Sequence, residues 1–447
     1  MKKTLFFLAL IVSVLHVSQA GYLIRSLTST WTPPDNLQNY TLAFDGSGNP
    51  IAAASTIFAG NNSIVIVHAN SNVAHFFPVN TDANLPIEVR DFHRISTQDA
   101  LVAYLLCGSV GTGSTAHAFV AVIDGGFLNM QFMEYTEASV FYSIWSGSIN
   151  ATSIGVYACG KKDSDGIVAS INISTLSIIN SYKTEHWEYH KIIAKGSMLS
   201  LRFVVSGRSS NCLEIGYTEF TPTSPPSFNY HWEQDIEPTS LCVVGDYMME
   251  NDQVILASSH HNIVTLTPVT LNSTFSGTKY EFANSPNETY YLQDILTFEG
   301  DTDIDVSVVG YKINSSLAVH RHAWHGHVPG LVSSLNMDNN YYYTTIGAAT
   351  DLYEHHKIRS SNGVVYSGGL LHTGYRGSVL FGTPRNIVDE CDVQNSADKD
   401  SLDYQPFYLP IEGGKSVEHP SHFIPSNNYQ TNYIECDYFR GEAPVSE

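Results

Sequence analysis

Side chains capable of acid–base chemistry recur near one position of a repeating sequence pattern. His93, Tyr142 and His190 each stand two residues before an apolar strand start, with Arg94 and Lys191 beside them. Histidine and tyrosine serve as general base and acid, and arginine or lysine neutralises a carboxylate. If strands carry these five side chains to one place, the sequence predicts an acid–base site. The alternative is that they only fill and hydrate a structural channel.

A second group is the histidine-rich run His320, His322, His325 and His327. His320 and His322 are two apart on an expected strand, so their rings share one face. We expect a turn to bring His325 or His327 round as further ligands, which would suit zinc or copper. The alternative is a solvent-facing strand edge that is rich in histidine, and without this metal no cofactor is expected.

Six cysteines follow residue 20, and an even number permits disulfides in an exported chain. Cys391 and Cys436 are the favoured pair because both lie in the last part of the chain and would tie it down. Cys212 with Cys242 is a second candidate bridge. Cys107 and Cys159 stand at equivalent positions of two repeats, either as buried thiols or as a bridge.

The elements that must position these residues come from a repeat of roughly fifty residues. Each unit contains short runs of Val, Ile, Phe and Tyr bounded by turn-forming residues, which are strand signals. The unit starts are Leu42, Ile95, Ile144, Ile192, Val243, Ile295 and Ile346. The matching small residues are Ser55, Gly108, Gly160, Gly207, Ser258, Gly310 and Gly368.

Seven such units predict an all-β fold, a seven-bladed β-propeller over residues 21–390. We expect the segment 22–31 to supply a strand to the last blade and so to close the ring. From Cys391 onward the alternation stops, which predicts an irregular C-terminal extension over 391–447. Because the innermost strands of a propeller line its channel, the ring of His93, Tyr142 and His190 is expected near its central opening.

Two segments resemble the blades of secreted bacterial proteins of the beta-propeller-repeat type. They are Leu105–Gly108, an apolar strand ending in glycine, and Ala118–Gly126, a strand ending in an Asp-Gly-Gly turn. The resemblance implies the same propeller fold over about residues 40–390. It carries no catalytic residue, so it implies no activity.

The ends and the charge of the chain restrict its compartment and partners. Residues 1–20 read as a secretory signal peptide, with Lys2 and Lys3 before an apolar stretch and Ala20 at the cleavage site, so a secreted or periplasmic protein is expected. No later run is long enough to span a membrane. A formal net charge of −21 argues against nucleic acid, and against acidic polysaccharides unless a local basic pocket overrides it.

These observations favour a binding or structural module over an enzyme. Its expected ligand is a neutral glycan or an extracellular protein, because exposed aromatic side chains suit both. The alternative is a carbohydrate-active enzyme, a lyase or a hydrolase, with its site at the central opening. The sequence contains no nucleophile elbow and no phosphate-binding glycine loop. The oligomeric state is left open.

Overall fold

In the computed structural model the expected apolar runs form antiparallel strands, and the part described lies between residues 21 and 435. The gaps within it are 28–34, 59, 70–73, 80–84, 97–101, 137, 151–152, 197–200, 222–226, 236–237, 248–251, 262, 272–277, 284–287, 300–303, 315–320, 329–341, 347–352, 362–363, 372–377, 383–392, 398–414, 421 and 425–428. The expected signal peptide, Cys391 and Cys436 lie outside the described residues.

The described strands form seven antiparallel sheets, which fits seven blades. Blade 1 contains β2 (Asp35–Phe44), β3 (Pro50–Phe58), β4 (Asn61–His68) and β5 (Ala74–Pro78). Blade 2 contains β6 (Ile87–Ser96), β7 (Val102–Val110), β8 (His117–Asp124) and β9 (Asn129–Tyr135). Blade 3 contains β10 (Val140–Asn150), β11 (Ser153–Lys162), β12 (Asp165–Ile171) and β13 (Ile178–Thr184). A 3-10 turn, Gly113–Thr115, lies between β7 and β8.

Blades 4 to 6 repeat this order along the chain. Blade 4 contains β14 (Trp187–Lys195), β15 (Arg202–Ser209), β16 (Glu214–Thr221) and β17 (Ser227–Asp235). Blade 5 contains β18 (Val243–Asp246), β19 (Gln253–His260), β20 (Ile263–Thr270) and β21 (Thr278–Ala283). Blade 6 contains β22 (Glu288–Glu299), β23 (Ile304–Asn314), β24 (Arg321–Val328) and β25 (Tyr342–Ile346). The expected all-β propeller is confirmed.

Blade 7 closes the ring with a strand from the other end of the chain. It contains β26 (Tyr353–Ser361), β27 (Val364–Leu371) and β28 (Ser378–Gly382), and its fourth strand is β1 (Gly21–Leu27). The register pairs Tyr22 with Gly382 and Ser26 with Ser378. The expected strand donation from the N-terminal segment is therefore confirmed.

The C-terminal extension is more regular than the sequence predicted. Its described part contains β29 (Val393–Ala397), β30 (Lys415–Pro420), β31 (His422–Ile424) and β32 (Tyr429–Glu435). These pair with β21, β9, β5 and β1, so they add a fifth, outermost strand to blades 5, 2, 1 and 7. Such strands need only backbone hydrogen bonds to a sheet edge, so apolar alternation is not required of them.

The hydrophobic core lies in layers between neighbouring blades. One cluster joins blades 1 and 2 through Ile64, Phe77, Phe119 and Phe132, and others join each following pair. Between blades 7 and 1, the Tyr366 ring packs 5.5 Å from that of Phe44. Because both faces of a blade are covered, strands read as continuous apolar runs; β3 is buried at seven successive positions. No helix in the described part is long and apolar enough to cross a membrane.

Candidate functional site

The innermost strand of five blades is interrupted by a bulge at one repeated place. The pairing of the first strand with the second skips a residue after Val89, Phe141, Tyr189, Leu292 and His355. A bulge leaves one residue unpaired and re-aims its side chain. The skipped residues are Arg90, Tyr142, His190, Gln293 and His356.

A repeated glycine on the second strand makes room for this bulge. Gly108 pairs with Val89, and a Cβ added to it would lie 1.9 Å from the backbone oxygen of Glu88. Gly160 and Gly207 show the same 1.9 Å approach, and Gly310 shows 2.0 Å. These are the small residues that mark the repeat in the sequence, so their recurrence has a steric cause.

The bulged residues surround one small cavity at the axis of the ring. All seven inner segments line it, through Asn39, Tyr40, Val89, Arg90, Tyr142, His190, Lys191, Leu241, Val243, Gln293, Asp294, His356 and Lys357. The volume is about 30 Å³. A site of that size holds a water molecule or two rather than a sugar ring.

Only three of the five residues expected in the acid–base ring line the axial cavity. Tyr142, His190 and Lys191 line the axial cavity, but His93 and Arg94 line a different cleft. In blade 2 the residue equivalent to Ile144 is Phe92, not Ile95, because Phe92 follows the bulge by the same interval. The bulged residue is therefore Arg90, and the predicted convergence of His93 with His190 is wrong in register.

The same kind of correction applies in blade 7. Ile346, which the sequence indicated as the start of the seventh unit, lies on β25, the outermost strand of blade 6. The true equivalent of Ile295 is Ile358 on β26, and His356 takes the bulge position.

A network of charged side chains crosses the axis just after the bulge. Asp294 accepts hydrogen bonds from Lys191 and Arg359, and from the backbone N–H of Ile358 at 3.2 Å. Arg359 also donates to Asp91 Oδ1 at 3.0 Å, so it joins blades 2, 6 and 7. Lys357 Nζ lies 3.6 Å from Asp91 Oδ1. Three cations therefore share two buried carboxylates.

This network fixes the ionisation of its members. Burial works to raise the pKa of Asp294, but Arg359, Lys191 and Lys357 outweigh it and hold that pKa well below its usual range. Burial also lowers the pKa of Lys191, against the opposing effect of Asp294. Asp91 accepts from Ser143 Oγ at 2.9 Å and from the Ile144 N–H at 3.1 Å, which ties blade 2 to blade 3. The arrangement is that of a structural clamp between blades.

His190 belongs to a second polar cluster, centred on Glu188. The Glu188 carboxylate accepts hydrogen bonds from Lys161, at 2.6 Å, and from Arg208. His190 Nε2 lies 3.5 Å from Glu188 Oε1. Burial favours a raised pKa for Glu188, but His190, Arg208 and Lys161 outweigh it and hold the pKa well below its usual range.

The protonation of His190 follows from its other nitrogen. Nδ1 accepts the Cys242 N–H at 3.0 Å, so in the neutral ring the proton is on Nε2. Burial lowers the pKa of His190, which keeps the imidazole neutral at neutral pH. The Tyr142 ring lies edge-on at 5.1 Å, and burial and the Glu188 charge raise its pKa. His190 therefore has no nitrogen lone pair available as a general base.

Two ligand-sized clefts lie at opposite ends of the inner strands. The start-side cleft has a volume of about 410 Å³ and lies where β6 and β10 begin; its lining residues are Glu88, Arg90, Ser109, Gly111, Thr112, Gly113, Ser114, Ala116, Ser139, Val140, Tyr142, Lys161 and Asp163. The end-side cleft has a volume of about 420 Å³ and lies where β2 and β26 end; its lining residues are Leu42 to Gly48, Phe92, His93, Arg94 and Arg359 to Ser361.

The histidine-rich run lies partly on β24, and the metal site stays a prediction. His322, His325 and His327 lie on one uninterrupted strand, β24, and His320 is outside the described residues. The described residues contain no group of three or more ligating side chains that would hold a metal ion.

The described cysteines are free thiols. Cys212 is partly exposed at a turn and Cys242 is buried on the inner side of blade 5, so the structure does not contain the predicted Cys212–Cys242 bridge. Cys107 and Cys159 are both buried, and burial raises both thiol pKa values well above their usual range. Of the alternatives for these two, the structure has the buried thiols.

Sequence reasoning missed Asp91, Glu188, Asp294 and Arg359. Asp91, Lys191, Asp294 and Lys357 share one repeat position, directly after the bulge. A repeat alignment anchored on the small residue of the second strand would have revealed this alternation of charges.

No protein-family model and no curated protein sequence matches the chain. Among solved structures, the chain is similar to one titled "Structure of Dos1 propeller", with a TM-score of 0.42, 10% identity and coverage of 83% of this chain and 96% of that chain. A Trypanosoma rangeli sialidase gives a TM-score of 0.37 and 10% identity, covering 78% of this chain and 55% of that chain. An S. cerevisiae core factor structure gives a TM-score of 0.38 and 10% identity, covering 86% of this chain and 63% of that chain. The chain spans less than two thirds of the sialidase and core factor chains.

Proposed function

We propose that this protein is an extracellular binding module that takes a neutral glycan in the start-side cleft. One observation carries the proposal. The acid–base residues at the axis are engaged with one another around a cavity of about 30 Å³, whereas the cleft beside them has a volume of about 410 Å³. Ligand sites fall in the range of about 300–1,000 Å³.

The lining of the start-side cleft suits a polar, uncharged ligand. Arg90 pairs with Glu88, and Lys161 pairs with Glu188, so its cations already have partners. Thr112 and Ser114 are exposed on the loop that borders the cleft, and they offer hydroxyl groups. The Tyr142 ring lies at the inner end of the cleft, with the Arg90 guanidinium over it at 5.6 Å from the ring centre. Hydroxyls and an aromatic ring are what sugars hydrogen-bond to and stack upon.

The enzymatic alternative has less support from this geometry. Glycoside hydrolysis needs two carboxylates across an open site, with room for a sugar ring between them. At the axis, Asp91 and Asp294 are each neutralised by cations, and His190 Nδ1 accepts a backbone N–H. An enzyme at the central opening would need these contacts to be broken.

A glycan-array screen followed by calorimetry tests the proposal. The blocking variant is Thr112→Trp, because Thr112 is exposed, extended at φ −134 and lines the cleft. The matched control is Ser174→Trp, at an exposed turn in blade 3. We expect the wild type and Ser174→Trp to bind an uncharged oligosaccharide, and Thr112→Trp to lose most of that affinity.

Three outcomes would contradict the proposal. Equal affinity in Thr112→Trp would remove the ligand from this cleft. Product formation from a bound oligosaccharide, measured by mass spectrometry, would support the enzymatic alternative instead. Absence of glycan binding together with capture of an extracellular protein would replace the glycan by a protein ligand.

A further inference from the structure

The end-side cleft contains an arginine, Arg94, with no ion-pair partner among the described residues. Its Nε is buried without a hydrogen-bond partner among those residues. An unsatisfied donor of a charged group is costly to bury, because water is removed and nothing replaces it. Arg94 Nε therefore has a donor free for an acceptor from outside the chain.

The neighbouring carboxylate is already occupied by its own turn. Asp45 Oδ1 accepts the N–H groups of Ser47 at 2.8 Å and Asn49 at 2.9 Å. Asp45 Oδ2 accepts from Asn49 Nδ2 at 3.0 Å. Asp45 therefore contributes its charge to the surroundings of Arg94 but no hydrogen bond that the structure records.

The charge around the cleft is positive although the chain is strongly acidic. Arg359 lines the cleft and belongs to the axial network, in which three cations share Asp91 and Asp294. Among the charged residues that line the cleft, Arg94 and Arg359 are cations and Asp45 is a carboxylate, against a net charge of −21 for the whole chain. A local positive pocket of this kind attracts anions against the field of the rest of the surface.

We propose that the end-side cleft binds a small molecule carrying an oxyanion, a carboxylate or a phosphate, through Arg94. The guanidinium fork matches the two oxygens of either group. His93 and the hydroxyl groups of Ser47 and Ser360 line the same cleft and suit further oxygens of the ligand. This site is separate from the start-side cleft, so it stands or falls independently of the proposed function.

Isothermal titration calorimetry with three probes at matched ionic strength tests the proposal. The probes are sodium glucuronate, inorganic phosphate and glucose, which separate a sugar carboxylate, a phosphate and an uncharged sugar. We expect at least one anion to bind the wild-type protein, with Arg94→Gln weakening it by about tenfold or more. Lys183→Gln is the control, since it also removes one positive charge but lies on β13, paired with Asp165.

The conservative variant separates a binding role from a merely structural one. Arg94→Lys keeps the charge and loses the fork, so its affinity for the anion should lie between those of the wild type and Arg94→Gln. This variant also decides the question if Arg94→Gln does not fold. The proposal is overturned if neither anion binds at millimolar concentration, if Arg94→Gln binds as well as the wild type, or if Lys183→Gln loses as much affinity.

Discussion

Replacing Asp294 by Asn is expected to destabilise the propeller more than any exposed charge change. The carboxylate is 1% exposed and receives Lys191 and Arg359, whose side chains are 13% and 24% exposed. Asn keeps one oxygen acceptor but no charge, so two largely buried cations lose their counterion. Removing one partner from a buried ion pair costs about 3–5 kcal/mol. That is a large part of a typical unfolding free energy of about 5–15 kcal/mol.

Urea unfolding followed by circular dichroism measures this loss. The matched control is Asp165→Asn, because the Asp165 carboxylate is 24% exposed against 1% for Asp294, so water can replace its ion pair with Lys183 and a loss of about 1 kcal/mol is expected. Adding Lys191→Met to Asp294→Asn removes one of the stranded charges and should restore more than about 1 kcal/mol. If Asp294→Asn lies within about 1 kcal/mol of Asp165→Asn, water screens the network and the clamp does not exist.

Three further outcomes follow from buried groups. Gly207→Ala should lower the unfolding free energy by about 3 kcal/mol or more, because the added Cβ would lie 1.9 Å from a backbone oxygen. The control Gly126→Ala should be nearly neutral, because its Cβ would lie 3.6 Å from the nearest atom. Equal losses in the two variants would contradict the steric argument. Burial and the charge of a neighbouring histidine lower the pKa of His75 to about 4, so its contribution of about 1–2 kcal/mol is present above pH 6.5 and is lost as the pH falls towards 4. A pH series of urea unfolding should show this fall in the wild type and a flatter profile in His75→Gln; parallel profiles would count against it. Burial raises the pKa of Cys242 to about 12, whereas Cys212 is partly exposed. Iodoacetamide at pH 8 should therefore label Cys212 and leave Cys242 unlabelled in the native protein, as measured by mass spectrometry. Early labelling of Cys242 would contradict this expectation and show that blade 5 opens.

The sequence predicted the blades well because their determinants are local. Runs of β-branched and aromatic residues specify strands, and Gly108, Gly160 and Gly207 recur because the bulge opposite each leaves no room for a Cβ. The ring closure by the N-terminal segment was also predicted, since a propeller must close its ring and a strand from that segment can join the last blade.

The candidate site was only partly predictable because a bulge is invisible in a strand pattern. Skipping one residue reverses which side chains face the axis, and a start chosen three residues late in blade 2 brought forward His93 in place of Arg90. The axial network joins Asp91 to Arg359, which are 268 residues apart. No spacing rule reports such a pair. The strands of the C-terminal extension were missed because edge pairing leaves no signature in side-chain alternation.

The fourth strand of blade 7 imposes an order on how the protein can be made. β1 precedes its partner β28, which begins at Ser378, by six whole blades, so it must wait while those blades are produced. Pairings this distant in sequence form slowly and leave sheet edges exposed meanwhile. β32 then pairs along the other edge of β1, from Gly21–Glu435 to Leu27–Tyr429. β1 is thus held along both edges by strands that follow the other six blades in the chain, and blade 7 can be completed only after β28 and β32 have been synthesised.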